Sequence, residues 1–293
     1  MKILLTGSRG NLGQAIVAHA SHVNQNGSGL KIVELNRDNW GQLDAICEGR
    51  EQACQITPVV AILHAGYDLH TQLAVSPVEM IDSNLMTTAR LLAAAKRHGI
   101  TRFGYVSSCA VYGNGSSHEA TCTPTTPYGT IKHLNEMMVE SFAKANGMTS
   151  IVFRVFNLYG GRDRFSIIHH LQEAARGGRE FRLNNGGEEF RDFIHVDDVA
   201  RAITAAMAMN CDGGHIDVGT GMATQIRSIM AIALDLYPSL RITCNGPRRG
   251  GPNYSCADVT RLRSIFHGDF VNLPAYLTQM FQPSFDVQYE RSA

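Results

Sequence analysis

Tyr128 and Lys132 stand four residues apart in PYGTIKHLNE, just after Pro124 and Pro127, where a helix would begin. That spacing places both side chains on one helical face, so the lysine ammonium can stand near the phenol. A phenol titrates near about 10 in water, and bringing it toward 7 takes about 4 kcal/mol of preferential stabilisation of the phenolate. A neighbouring cation supplies such a bias, and the result is a tyrosine able to exchange a proton with a substrate hydroxyl. Upstream, YVSSCAVYG (105–113) reads as a strand ending in hydroxyls, and Ser108 could hold a substrate oxygen beside Tyr128.

The N-terminus offers a complementary feature. A short apolar strand, KILLT, runs into Gly7-Ser8-Arg9-Gly10-Asn11-Leu12-Gly13. Glycines at that spacing between strand and helix let backbone amides and a helix N-terminus face a pyrophosphate. An ordinary structural turn is the competing reading. A carboxylate about twenty residues later would bind an adenosine ribose hydroxyl and repel a 2′-phosphate. Here the second strand ends Glu34-Leu35-Asn36-Arg37. Asn36 stands where Asp is expected, and Arg37 together with Arg9 could hold a phosphate by charge-assisted bonds. The expectation is therefore NADP(H), with NAD(H) as the other option and Glu34 as a competing carboxylate; two solvated surface arginines are the bland alternative. His64, Ala65 and Gly66, ending the strand VVAILHA, join the expected cofactor contacts. An oxidised nicotinamide would add a second positive charge near Tyr128 and accept hydride.

These groups need a scaffold that gathers strand ends. The chain alternates: KILLT, LKIVELN, VVAILHA, FGYVSS and TSIVFRVFN read as strands, and Asn11–His22, Asn84–His98 and Tyr128–Asn146 as helices. Near-continuous apolar strands between helices predict an α/β fold, a Rossmann-type doubly wound parallel sheet, with a smaller C-terminal α/β lobe for substrate. The expected division is a dinucleotide-binding domain at 1–161, rejoined by about 190–212, and a substrate lobe at 162–189 and 213–293. Lys plus Arg and Asp plus Glu balance at 26 each, which argues against nucleic acid or anionic membrane as partner and for a small molecule. Seven cysteines without a CxxC pair predict reduced thiols and no metal site, and the lack of a signal or spanning segment predicts a cytoplasmic protein.

Taken in order, TGxxGxxG, SSxAVYG and PYxxxK resemble the extended short-chain dehydrogenase/reductases, the NAD(P)-dependent nucleotide-sugar epimerases, dehydratases and ketoreductases. Asn84, Glu119, the segment Arg154–Gly160 and the segment Arg191–Val199 match further stretches, so the resemblance covers nearly the whole chain. It implies catalytic roles for Ser108, Tyr128 and Lys132, and places Asn157 and Arg191 near the diphosphate of a nucleotide sugar. Arg249 (or Arg248) falls in an imperfect copy of a later segment, where Gly251 or Pro252 replaces an acid. The resemblance also implies a homodimer in which the helices from Asn84 and Tyr128 form a four-helix bundle.

Family dehydratases carry an Asp-Glu pair after the active-site hydroxyl residue, and Cys109 and Ala110 occupy those places. Dehydration is therefore disfavoured. The arginine pair favours an NADP(H)-dependent reductase of a 4-keto nucleotide sugar, and GSRGNLGQAI is similar to the loop of such reductases. The alternative is an NAD-dependent 4-epimerase. Lesser alternatives are a dehydrogenase of a free sugar or hydroxy acid and a non-catalytic NADP sensor. Cys109, His169 and His170 are candidate proton-transfer partners, with packing roles as the plainer reading.

Overall fold

A computed structural model of the chain describes residues 1–25, 27–50, 58–68, 76–114, 121–209, 212–246 and 253–281. The first half is built from β1 (Lys2–Thr6), α1 (Asn11–Gln25), β2 (Lys31–Leu35), α2 (Leu43–Cys47), β3 (Ala61–His64), α3 (Pro77–Met80), α4 (Met86–Arg97), β4 (Arg102–Ser108), α5 (Pro127–Ala145) and β5 (Thr149–Val155). There follow β6 (Asn157–Tyr159), α6 (Ile167–Arg176), β7 (Phe181–Leu183), β8 (Phe190–His195), α7 (Val196–Ala208), β9 (Gly214–Val218), β10 (Ala223–Gln225), α8 (Ile226–Leu236), β11 (Ile242–Cys244), β12 (Tyr254–Ser255), α9 (Thr260–Ile265) and α10 (Leu273–Met280).

The large sheet has the order β2-β1-β3-β4-β5-β9, and every neighbouring pair is parallel. β1, β3 and much of β4 are buried, which is why they carry apolar runs rather than alternation. One face packs on α1 and α7 through Ile16, Val199 and Ile203; the other packs on α4 and α5 through Leu91, Leu92 and Val139. After β2 the chain crosses to the far side of β1 to form β3, so the strand order switches direction at β1. Such a switch opens a crevice at the carboxyl ends of the strands, where Thr6, His64 and Ser108 all lie.

The expected strand TSIVFRVFN is two strands. It leaves the large sheet after Val155, and Asn157–Tyr159 pairs with Phe193–His195 in a smaller mixed sheet. Strand membership also differs from the expected division of the chain: β8, within 190–212, belongs to the small sheet, whereas β9, within 213–293, extends the large one. The helix expected from Asn84 starts earlier, at Pro77, and passes through a π-helical turn over Ile81–Leu85. Buried Asn84 sits in that turn, donating to the Met80 carbonyl and accepting from the Asp68 amide. Among the described residues, no helix is long and apolar enough to cross a membrane.

Candidate active site

Local chemistry sets the start of α5. The Thr126 hydroxyl accepts the Gly129 amide at 3.1 Å, and Pro127 occupies the first turn, where its missing N–H costs nothing. Gly129 is required by its neighbour, because a Cβ there would lie 2.5 Å from the Ala110 carbonyl oxygen. The helix can therefore press against the turn Cys109–Tyr112 that follows β4, which brings Tyr128 close enough to Ser108 for the serine hydroxyl to act on the phenol. Ser108 also accepts the Ala110 amide at 3.2 Å, which fixes its hydroxyl at the strand end.

Lys132 is buried. Its ammonium donates to the Val106 carbonyl at 2.8 Å and lies 4.8, 5.1 and 5.9 Å from the ring centres of Tyr67, Tyr105 and Tyr128. Burial pulls its pKa down to about 7, with Glu136 one turn along pulling it back up. For Tyr128, burial pushes the phenol above its ordinary value while the Ser108 hydrogen bond lowers it. In this chain the ammonium is held on a carbonyl, and desolvation dominates both groups.

Cys109 is also desolvated: its thiol is pushed up to about 11, with hydrogen bonds to Ser255 and Ser108 and the Arg191 guanidinium acting the other way. It stays protonated near neutrality. Arg191 is thus close enough for its charge to be felt at this site, although its guanidinium also donates to the Phe190 carbonyl. Asn157 donates to the Asp192 carbonyl at 2.8 Å. Asp192 itself is buried and collects the amides of Thr220, Gly221 and Ala257, tying the small sheet to the end of β9. His169 and His170 contact one another on α6, and among the described residues neither bonds to Ser108 or Tyr128. Arg248, Arg249, Gly251, Pro252 and Glu119 lie outside the described residues.

The glycine loop turns tightly at the end of β1. Gly7 has φ +76°, the Gly10 amide returns to its carbonyl at 3.0 Å, and a Cβ on Gly13 would collide with that same oxygen. The Ser8 hydroxyl is buried in the loop with no hydrogen-bond partner among the described residues, an orphan of the kind a bound polar group satisfies. The glycines, the N-terminus of α1 and this hydroxyl fit a dinucleotide pyrophosphate. Asn11 is engaged as a clamp, donating to the Gly160 carbonyl and accepting from the Arg162 amide, and Leu12 packs on the core.

His64 is a brace beneath the crevice. Its ring bonds Thr6 at 2.6 Å and Thr88 at 3.1 Å. Because the Thr88 hydroxyl donates to the Asn84 carbonyl, it accepts from Nε2, and Nδ1 accepts from Thr6, whose oxygen receives the Gly66 amide. The ring is neutral in this chain of bonds, and burial holds its pKa down to about 3. Arg9 pairs with Asp38, and Arg37 with Asp68 at 2.6 Å. The Asn36 amide donates to Asn39 Oδ1, capping the turn that follows β2.

The profile of the NAD dependent epimerase/dehydratase family matches residues 3–219. The chain belongs to this family. It is an enzyme of the extended short-chain dehydrogenase/reductase type. Among curated relatives, UDP-glucose 4-epimerase of Azospirillum brasilense is 26% identical over 89% of this chain and 85% of that protein. The dTDP-glucose 4,6-dehydratase of Escherichia coli is 22% identical over 75% and 72%. The crystal structure of UDP-glucose 4-epimerase from Thermotoga maritima, with UDP-glucose, superposes with a TM-score of 0.80 at 23% identity, covering 96% of this chain and 97% of that one. This last likeness establishes the fold.

For a family epimerase/dehydratase, two residues near the candidate site escaped the sequence reading. Tyr67 packs edge-on against Tyr128 at 5.0 Å and lies over the Lys132 ammonium. It follows HAG at the end of β3, so its place at the carboxyl edge was a usable signal. Ser255 reaches Cys109 from β12, more than a hundred residues away in sequence, and no local pattern announces it.

Proposed function

We propose that the protein is a nucleotide-sugar 4-epimerase that works with tightly held NAD. The observation that carries this reading is the composition of the crevice beside Ser108 and Tyr128. A protonated thiol and a methyl group, Cys109 and Ala110, occupy the places where family dehydratases carry an acid pair. The nearby carboxylate of Asp217 is taken up by the Tyr112 hydroxyl at 2.7 Å. Elimination of water needs a positioned acid and base beyond the tyrosine; reversible loss of a carbinol proton does not.

In this reading, Gly7, Gly10, Gly13, Ser8, Ala65 and Gly66 line the cofactor site, with the His64 chain holding the Gly66 loop in place. Bound NAD supplies the capacity to take hydride from a sugar carbon and return it. Tyr128 exchanges the hydroxyl proton of the sugar, Ser108 orients that hydroxyl, and Lys132 provides the positive charge that favours the phenolate. Asn157, Arg191 and the small lobe take the nucleotide sugar, and the large sheet with α1 takes the dinucleotide. Exposed Met86, Leu134 and Met137 on α4 and α5 support a homodimer through those helices. Light scattering that shows only a 32.0 kDa species at micromolar concentration would reject the dimer.

A second reading, the NADPH-dependent 4-keto sugar reductase, is favoured by Asn36 with Arg9 and Arg37. Its weakness is that both arginines already face carboxylates. The deciding assay incubates the purified enzyme with UDP-glucose or UDP-galactose, without added cofactor, and separates the two epimers by chromatography. Interconversion, with NAD released on denaturation, is the expected result. Stoichiometric consumption of NADPH by a 4-keto nucleotide sugar, without interconversion of any nucleotide hexose, would put the reductase in its place.

A further inference from the structure

Further along α5 from Lys132, around Glu136, is a second cluster of reactive groups that the proposed reaction does not use. His133, Glu136 and Glu140 follow one another at helical spacings of three and four, so they share a face. Cys122, in the segment leading into α5, and His215, on the edge strand β9, approach that face. One donor atom each of Cys122, His133 and Glu136 lies within 4.8 Å of the others. His133 Nδ1 is sealed from solvent with no hydrogen-bond partner among the described residues, and stands 3.6 Å from Glu136 Oε2. His215 Nε2 is 3.9 Å from that same oxygen and 2.7 Å from Glu140.

We propose that Cys122, His133 and Glu136, with His215 as the fourth donor, form a binding site for a borderline-soft divalent cation, with Zn²⁺ as the best match. A thiolate, two imidazoles and a carboxylate are the donor types zinc takes in four-coordinate sites, whereas magnesium and calcium take oxygen alone. Tetrahedral zinc holds such donors about 3.2 to 3.8 Å apart, so closure about the ion needs shifts of about 1 Å. Cys122, His133 and His215 are each only half-buried, which leaves room for such shifts. Glu136 already accepts two bonds from Arg154, one on each oxygen, at 3.1 and 2.8 Å. Each carboxylate oxygen has a second lone pair, and Oε2 lies 3.6 Å from His133 and 3.9 Å from His215.

The charges balance. The Cys122 thiolate, Glu136 and Glu140 offset the dication together with Arg154. Burial keeps the Cys122 thiol protonated in the metal-free chain, so binding forms a metal–sulfur bond and releases the thiol proton to the buffer. The ion would fasten three elements that otherwise meet through side-chain contacts: the segment before Tyr128, the helix that carries Tyr128, and the edge strand of the large sheet.

Cobalt(II) is the probe, because thiolate ligation gives it an ultraviolet charge-transfer band and four-coordination gives intense visible bands. Titration of the full chain under reducing conditions is expected to produce both, and zinc should displace them. Cys122→Ser should abolish the charge-transfer band, and His133→Asn should weaken cobalt binding by at least about tenfold, with circular dichroism unchanged. Should the serine variant misfold, the asparagine variant alone decides, since its side chain is partly exposed. Lack of the charge-transfer band in the unaltered chain, its persistence in a folded Cys122→Ser variant, or undiminished affinity in His133→Asn would each overturn the site. The readout needs no substrate, so it is independent of the proposed reaction.

Discussion

Two cations are buried against α5, Lys132 on the helix itself and Arg154 bound to it one turn further along through Glu136, and they are treated in opposite ways. Arg154, on β5, is held by both oxygens of Glu136 and donates a further bond to the Tyr112 hydroxyl, which in turn donates to Asp217. Lys132, four residues before Glu136, donates a hydrogen bond to a backbone carbonyl and otherwise faces three tyrosine rings. The arginine's pKa is driven further up by its partners, and the lysine's is drawn down to about 7 by burial. A fully matched buried pair serves the fold, and a cation left under-compensated at a strand edge is a poised group. The same helix thus carries the anchor of a structural charge, Glu136, and a chemical charge, Lys132.

The largest effects should separate the two. Replacing Arg154 by Met leaves the Glu136 carboxylate buried without its partner, and should destabilise the protein by about 3 to 5 kcal/mol in urea unfolding. Lys132→Met removes an isolated buried charge, so its urea midpoint should equal or exceed that of the unaltered chain. A loss above about 2 kcal/mol there would break the contrast. Turnover should respond the other way: Tyr128→Phe should lower it at least about a hundredfold with fold and cofactor binding intact. Lys132→Met should lose both turnover and cofactor affinity. Near-normal turnover in the phenylalanine variant would remove Tyr128 from the mechanism.

The pH dependence sharpens the same point. Between the folded value of about 7 and the unfolded value of about 10.4, the unfolded chain binds the extra proton at Lys132, so stability should rise with pH across that window. Measured from about pH 7 to 9, below the tyrosines, this rise should vanish in Lys132→Met. A slope shared by both proteins would assign it to other groups.

His64 is a third buried titratable group, satisfied in its neutral form. Its folded pKa near 3 lies below the unfolded value of about 6.5, so stability is lost as pH falls through that interval. One proton per pH unit gives about 1.4 kcal/mol per unit, or about 2 kcal/mol by pH 5. In His64→Gln that acid loss should be absent. Equal urea midpoints for the two proteins at pH 7 and at pH 5 would show that the ring is not held neutral.

What the sequence made legible was local. Glycines between strand and helix, a hydroxyl at a strand end and Tyr128 with Lys132 at helical spacing each declare a position within a few residues. The polar partners were not legible, because they join segments far apart: the ion pairs of Arg154 with Glu136 and Arg9 with Asp38, and the approach of Ser255 to Cys109. For the same reason the strand TSIVFRVFN looked continuous, although Phe156 is where the chain changes sheets. Reading Arg9 and Arg37 as free cations led to NADP(H), an expectation that ignored the carboxylates folding brings to them.

The smallest effects belong to those two exposed pairs. Arg9 and Asp38 are 66% and 69% exposed, and Arg37 is 81% exposed, so water and salt screen both interactions. Breaking either by Arg→Ala should change stability by less than about 1 kcal/mol, in contrast to the loss at Arg154. Their consequence should appear in cofactor choice. With Asp38 and Asp68 in place, carboxylates stand where a 2′-phosphate would have to compete for the arginines, so the unaltered enzyme should bind NAD at least as well as NADP. Asp38→Asn frees Arg9 for a phosphate and should raise the affinity for NADP relative to NAD about tenfold, the lower end for an exposed charge-assisted bond. That gain should shrink as salt is raised from low ionic strength to about 0.15 M, where the screening length is about 8 Å. Isothermal titration of both cofactors into both proteins decides it. A preference of the unaltered enzyme for NADP by more than about a hundredfold would mean that the arginines exchange carboxylate for phosphate readily. The reductase reading would then stand ahead of the epimerase.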